Sequence, residues 1–269
     1  MTNKIPAPLL AIALLLTLSI AAFAAPQTMR LDYFHTGNSK QEVFSLDHVV
    51  IEPLPWPGDM SKTIDDTNLG KYFFEVRDQK TKRVLYSRGF ASIFGEWETT
   101  DEATAIMRTF SESLRFPAPQ APVDIVLKKR DSKNNWQEVW TIPVDPNDIF
   151  IDRSKMTAPA RLLAIQKTGD PSVKVDFVIL GDGYTAGELK KFERDAHRLT
   201  EVLFATSPFK EHRNDFNVWG LCPPAAESGI SRPSTGVYRA SPLGATYDTF
   251  GSERYVLTFD NRALRKVAQ

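Results

Sequence analysis

The segment Gly181-Asp182-Gly183-Tyr184-Thr185-Ala186 fits G-x-G-x-x-A, a pattern whose glycines let a backbone turn tightly and approach a pyrophosphate. Three properties oppose nucleotide chemistry here. Asp182 would set a negative charge beside the phosphates, no acidic residue closes the next apolar strand, and a leader for export takes the chain away from NAD. Gly181 and Gly183 are then turn residues, supplying backbone shapes closed to residues with a Cβ. Asp182 is the carboxylate hardest to set aside, because strand ends in α/β sheets face the ligand crevice. The competing expectation is a turn residue bonded to its own backbone.

Glu193, His197 and Glu201 recur one helical turn apart and could together grip a metal ion. Lys190, Arg194 and Arg198 lie among them, which suits a solvated face with weak i,i+4 pairs. His35, His48 and His212 fall outside any H-E-x-x-H, H-x-H or Cys/His cluster. Ser228, in Ala226-Glu227-Ser228-Gly229, lacks the G-x-S-x-G elbow of a serine hydrolase. Cys222 precedes Pro223-Pro224 and suits a small buried residue better than a nucleophile. The residues by themselves therefore assign no catalytic, cofactor-binding or metal site.

Two kinds of element must position these groups. From about Thr28 to Val144, β-branched and aromatic residues come in short blocks: Val43 to Ile51, Tyr72 to Arg77, Arg83 to Tyr86, Val123 to Leu127 and Trp136 to Ile142. Polar loops at Asp78 to Lys82 and Asp131 to Asn135 read as hairpin turns. Phe110, Leu114 and Phe116 share one period-2 face, so FSESLRF reads as a strand. Prolines restrict Pro53 to Gly58 to a loop or an edge. Six or more such strands predict an antiparallel β-sandwich over residues 25–150. The stretch from about Asp145 to Ala160 has no period and marks a boundary.

Residues 160–269 change character toward a partial α/β domain. Val173 to Leu180 is nearly continuous apolar sequence, which predicts a strand buried on both faces. Thr185 and Glu188 form a capping box that opens a helix, with Leu189, Phe192, Ala196, Leu199 and Leu203 at helical spacing. Pro208 ends the helix, and Phe216 to Leu221 completes a β-α-β unit with parallel strands and a right-handed crossover.

Residues 1–24 read as a cleaved signal peptide. Lys4 precedes an apolar stretch from Leu9 to Ala22, shorter than a spanning helix, and Ala22-Phe23-Ala24 offers a small-residue cleavage site. The full chain carries 33 basic and 33 acidic residues; removal of the leader takes Lys4 and no acid, leaving a formal charge of −1. Such balance gives no electrostatic basis for binding nucleic acid or an anionic membrane. One cysteine makes no intramolecular disulfide, so core burial must hold the chain together. A secreted or periplasmic location follows.

FVILGDGYT at Phe177 to Thr185, SPFKEHRNDFNVW at Ser207 to Trp219, AESGIS at Ala226 to Ser231 and SPLGATYDTFGSERYVLTFDNRALRKVA at Ser241 to Ala268 carry a resemblance. In these phrases the chain resembles the IgA-peptidase family of secreted bacterial zinc metallopeptidases. RTFSESLRFPAP at Arg108 to Pro119 is similar to the β-sandwich domain that precedes the catalytic domain in many members. The resemblance implies hydrolysis of a peptide bond in a protein or peptide substrate by a zinc-activated water, with two histidines and a glutamate of H-E-x-x-H on a helix. No position of this sequence matches that motif. The expectation is accordingly an N-terminal, truncated catalytic region that binds no zinc by itself and is inactive as given. The alternative is a non-catalytic secreted β-sandwich protein that binds protein or glycan.

Overall fold

Alternation of apolar and polar residues builds the N-terminal half, and pairing order decides which residues meet. A computed structural model describes residues 26–155 and 157–268; the signal peptide expected at 1–24 lies outside them. Strands β1 (Gln27–Gly37), β2 (Glu42–Pro55) and β5 (Arg108–Pro117) form an antiparallel sheet in the order β2-β1-β5. A second antiparallel sheet, in the order β4-β3-β6-β7, is made by β3 (Tyr72–Asp78), β4 (Val84–Phe90), β6 (Val123–Arg130) and β7 (Trp136–Val144). The Asp78 carboxylate accepts from the backbone amides of Lys80 and Thr81 in the β3–β4 turn, and Asp131 does the same for Lys133 and Asn135 between β6 and β7. Pro53 and Pro55 sit in β2, an edge strand, where a missing N–H breaks no interior ladder.

One apolar cluster joins the two sheets: Met29, Leu31, Tyr33, Leu114 and Phe116 from the first meet Tyr72, Phe74, Val76, Ile125 and Leu127 from the second. Two short helices that the sequence pattern did not announce, α1 (Ile93–Trp97) and α2 (Asp101–Ala105), interrupt the strands. Ser92 and Thr100 cap them through side-chain oxygens, and they bury Phe94, Trp97 and Ala103 beside Phe110. Past β7, a strand of the second sheet, the chain crosses back to the first sheet at Asp152, whose carbonyl accepts from Ile51 N–H and whose N–H donates to the Val49 carbonyl.

The C-terminal half is a smaller α/β assembly. Strands β8 (Leu163–Gln166), β9 (Val175–Leu180) and β10 (Phe216–Leu221) form a sheet in the order β8-β10-β9, with β10 parallel to β9 and antiparallel to β8. Helix α3 (Leu189–Phe204) lies between β9 and β10 in the chain. All three sheets are open. The expectation of a β9 buried on both faces is corrected. Val173 precedes the strand, Val175 is 53% and Phe177 41% exposed, because β9 is an edge with no neighbour beyond it among the described residues. The buried stripe of α3 also differs from the expected one: Phe192, Ala196, Thr200 and Phe204 face inward, while Leu189 and Leu199 stay exposed. A strict four-residue repeat drifts slowly around the helix, and the narrow sheet covers only that stripe.

Helix α4 (Asn261–Ala268) returns to the N-terminal half and covers the outer face of β1 and β5. Asn261 Nδ2 and Arg265 Nη2 donate to the Ser111 carbonyl and hydroxyl at 2.8 and 2.6 Å. Arg262 pairs with Asp47 at 2.6 Å, and Arg265 lies 3.4 Å from Asp32. Beneath that helix Arg30 bonds Asp32 and Glu52, and Arg115 reaches the same Glu52. With apolar neighbours on one face and this ionic layer on the other, β1 is buried on both sides. No helix among the described residues is long and apolar enough to cross a membrane.

Candidate functional site

The turn after β9 is the place where an α/β sheet presents polar groups, and tight packing explains its two glycines. A Cβ on Gly181 would lie 2.7 Å from both Cys222 Sγ and the Phe192 ring. Gly183 has φ of +75°, and a Cβ there would meet the Gly229 carbonyl oxygen at 2.6 Å. The close approach brings in the segment after β10: Gly229 N–H donates to Gly183 O and Ala225 N–H to Tyr184 O, each at 2.7 Å. Glycine in this turn serves chain-to-chain contact, and no phosphate is needed to account for it.

Asp182 does not bond its own backbone, which corrects the turn-residue expectation. Its carboxylate accepts from Ser241 Oγ at 2.6 Å, Leu243 N–H at 3.1 Å and Ala245 N–H at 2.9 Å. A residue of the β9 turn thus holds a loop some sixty positions away in sequence. Both oxygens are engaged, so the side chain works as an anchor.

The neighbouring polar groups are likewise paired among themselves. Glu188 accepts from Thr185 N–H and Oγ at 2.9 Å, and from Ser228 Oγ at 2.9 Å, so the expected capping box is also a tie to the 225–231 segment. Arg239 pairs with Glu227. Cys222 is buried, and burial together with the nearby Asp182 charge pushes its thiol up to about 11, which keeps it protonated and poorly nucleophilic near neutrality. Ser228 donates to the Glu188 carboxylate, and among the described residues no histidine bonds to it. A cleft of about 450 Å³ lies at the far end of β9, between Trp56 to Gly58 and Pro171 to Asp176, away from Asp182.

The three residues at metal-ligand spacing on α3 do not converge on a common point. Glu201 is taken by Arg213, which donates to both carboxylate oxygens at 2.9 and 2.5 Å. Glu193 and His197 are exposed. His212 bonds Asp215 at 3.0 Å on the surface, and His48 sits between Asp32 and Asp47. Among the described residues, no three His, Cys, Asp or Glu side chains come together to hold a metal ion. The described residues do not fit the zinc site that the resemblance implies.

One group of titratable residues escaped the motif reading. His35 is fully buried between two carboxylates, Nδ1 3.2 Å from Glu112 Oε2 and Nε2 3.0 Å from Glu42 Oε2. Its signal in the sequence was parity: His35 continues the inward series Met29, Leu31, Tyr33, and Glu112 falls within Phe110, Leu114, Phe116.

Comparison with known families follows the same division of the chain. A family model described as "Peptidase M64 N-terminus" matches residues 20–141, and one described as "IgA Peptidase M64" matches residues 163–269. No curated protein matches the chain. The first match runs from before β1 into β7 and the second covers the whole α/β assembly, each in its own half and in the order of the fold: the chain belongs to the IgA peptidase M64 family.

Proposed function

We propose that this chain serves an exported zinc peptidase acting on protein or peptide substrates, with the zinc ligands outside the described residues. The carrying observation is the IgA peptidase match over residues 163–269, the region that contains β9, α3 and β10. In this reading residues 1–24 are a cleaved signal peptide, 25–150 an antiparallel β-sandwich and 160–269 a portion of a catalytic-type α/β domain. The single core shared by the two N-terminal sheets supports the sandwich. The parallel pairing of β9 with β10 across α3 supports a β-α-β unit. This chain's own residues supply scaffold: Gly181, Gly183 and Asp182 fix the segments 225–229 and 241–245 at the end of the sheet.

The test compares the product of the complete reading frame with a protein of residues 25–269. The complete product should cleave a peptide library, lose that activity to chelator and regain it with zinc. Residues 25–269 should retain no stoichiometric zinc after dialysis and cleave nothing. A complete product that leaves the library intact after zinc loading would refute the peptidase reading. One tightly held zinc on residues 25–269, lost on His197→Ala, would refute the placement of the ligands. Export is checked by sequencing the N-terminus of the exported protein, which should begin at Ala25; a start at Met1 in a membrane fraction would overturn it.

A further inference from the structure

The buried histidine raises a question of proton count. A neutral imidazole donates from one ring nitrogen and accepts at the other, yet both nitrogens of His35 face carboxylate oxygens. Those oxygens already accept elsewhere: Glu112 Oε2 takes the Tyr33 hydroxyl at 2.8 Å, and Glu42 Oε2 takes the Tyr72 hydroxyl at 2.8 Å. A ring lone pair aimed at either oxygen would be repelled. A doubly protonated ring satisfies both contacts.

Charge balance gives the same answer. The groups facing the cluster come from every surrounding element: His35 and Tyr33 on β1, Glu42 on β2, Lys71 and Tyr72 at β3, Glu98 after α1, Glu112 on β5 and Lys129 on β6. Lys129 bridges Glu42 at 2.9 Å and Glu98 at 3.3 Å, and Lys71 pairs with Glu98. Three carboxylates therefore face two lysines, and a second proton on His35 supplies the third positive charge. Glu112 Oε1 is buried with no hydrogen-bond partner among the described residues, so that carboxylate depends on the His35 side for its compensation.

The ring also has a mechanical connection. Phe94 of α1 stacks on His35 at 3.8 Å between centroids, an arrangement favoured by a cationic ring. Phe94 contacts Phe110, Phe110 contacts Phe259, and Phe259 contacts Phe250, each pair about 6 Å apart. The 250–259 segment belongs to the C-terminal half. It is seated on the N-terminal half through this aromatic chain and through Arg108 over the Phe259 ring.

We propose that His35 is a proton-held clamp: its imidazolium ties β1, β2 and β5 together under α1, and its deprotonation loosens the seat of the 250–259 segment. Burial by itself pushes the ring toward neutrality, but the hydrogen bonds to Glu112 and Glu42 outweigh it and hold His35 above the usual histidine range. The sign follows from linkage. A group whose pKa is raised on folding contributes stability that is complete below its unfolded value, about 6.5, and is lost as pH rises through the folded value. The clamp is closed in mildly acidic to neutral medium and opens toward alkaline pH.

The direct test is nitrogen NMR of the histidine rings in residues 25–269, with His35 assigned by comparison with His48→Ala, His197→Ala and His212→Ala. Both His35 nitrogens should carry protons at pH 7; a neutral single tautomer there would overturn the proposal, whatever any variant does. Melting measured from pH 6 to pH 10 supplies the second readout. The wild type should lose about 5 °C or more across that range relative to Glu112→Gln, whose neutral amide can pair with a neutral ring. Hydrogen exchange, corrected for its intrinsic pH dependence, should accelerate at Thr246 and Leu257 over the same interval in the wild type. Equal pH profiles for wild type and Glu112→Gln, or unchanged exchange in 246–257, would count against the clamp.

Discussion

The N-terminal and C-terminal halves of this chain solve the burial of β-structure differently. In the former, a pair of sheets shares one cluster of fifteen buried side chains, and the outer face of β1 is covered again by α4. In the latter, the sheet sits over two clusters of three buried residues each, and β9 leaves Val175, Phe177 and Val178 exposed. The more apolar strand is the less buried one. Composition states how much a strand would gain from cover, whereas neighbours decide whether it receives any. The polar groups differ in kind as well: the N-terminal half buries charged networks around Arg30 and His35, while the C-terminal half uses carboxylates to anchor loops.

The contrast can be broken by substitution. Phe116→Ala, at a fully buried position shared by both N-terminal sheets, should cost about 3–5 kcal/mol, whereas Phe177→Ala on β9 should cost under about 1 kcal/mol. Denaturant midpoints of the two variants measure this. Comparable losses would mean that β9 is covered in solution.

Asp182→Ala comes next. Loss of a carboxylate that accepts from Ser241, Leu243 and Ala245 should cost about 2–3 kcal/mol and speed exchange at the Leu243 and Ala245 amides. Unchanged exchange there would remove Asp182 from its anchoring role. Gly183→Ala should cost about 1–3 kcal/mol, from both the left-handed backbone and the contact with Gly229 O. A melt equal to wild type would show that the turn can move away from Gly229. The smallest effect is expected of His197→Ala on the exposed face of α3, where neither the melting midpoint nor zinc retention should change. A shift in either would show that Glu193, His197 and Glu201 act together.

Much of the local structure was legible because it depends on short-range chemistry. The hairpin turns at Asp78 and Asp131 follow from side-chain acceptors two to four residues before the amides they take. The strand over FSESLRF follows from parity, and the start of α3 from Thr185 and Glu188. The helices α1 and α2 were not legible, since five residues carry too little periodicity to stand out. At the candidate site the sequence singled out Asp182 and its flanking glycines as residues with a purpose, but it could not name the partners, which lie between Ala225 and Ala245.

By itself the sequence determined the family, the change from alternating strands to an α/β pattern, and the capping and turn residues, because each is written in residue types at fixed short spacing. Tertiary structure alone decided that β9 is an exposed edge, that Asp182 anchors a distant loop, and that His35 lies between Glu42 and Glu112. Those outcomes depend on which strands become neighbours. The gain from pairing or burial accrues between positions far apart in the chain, where spacing along the sequence carries no record of it.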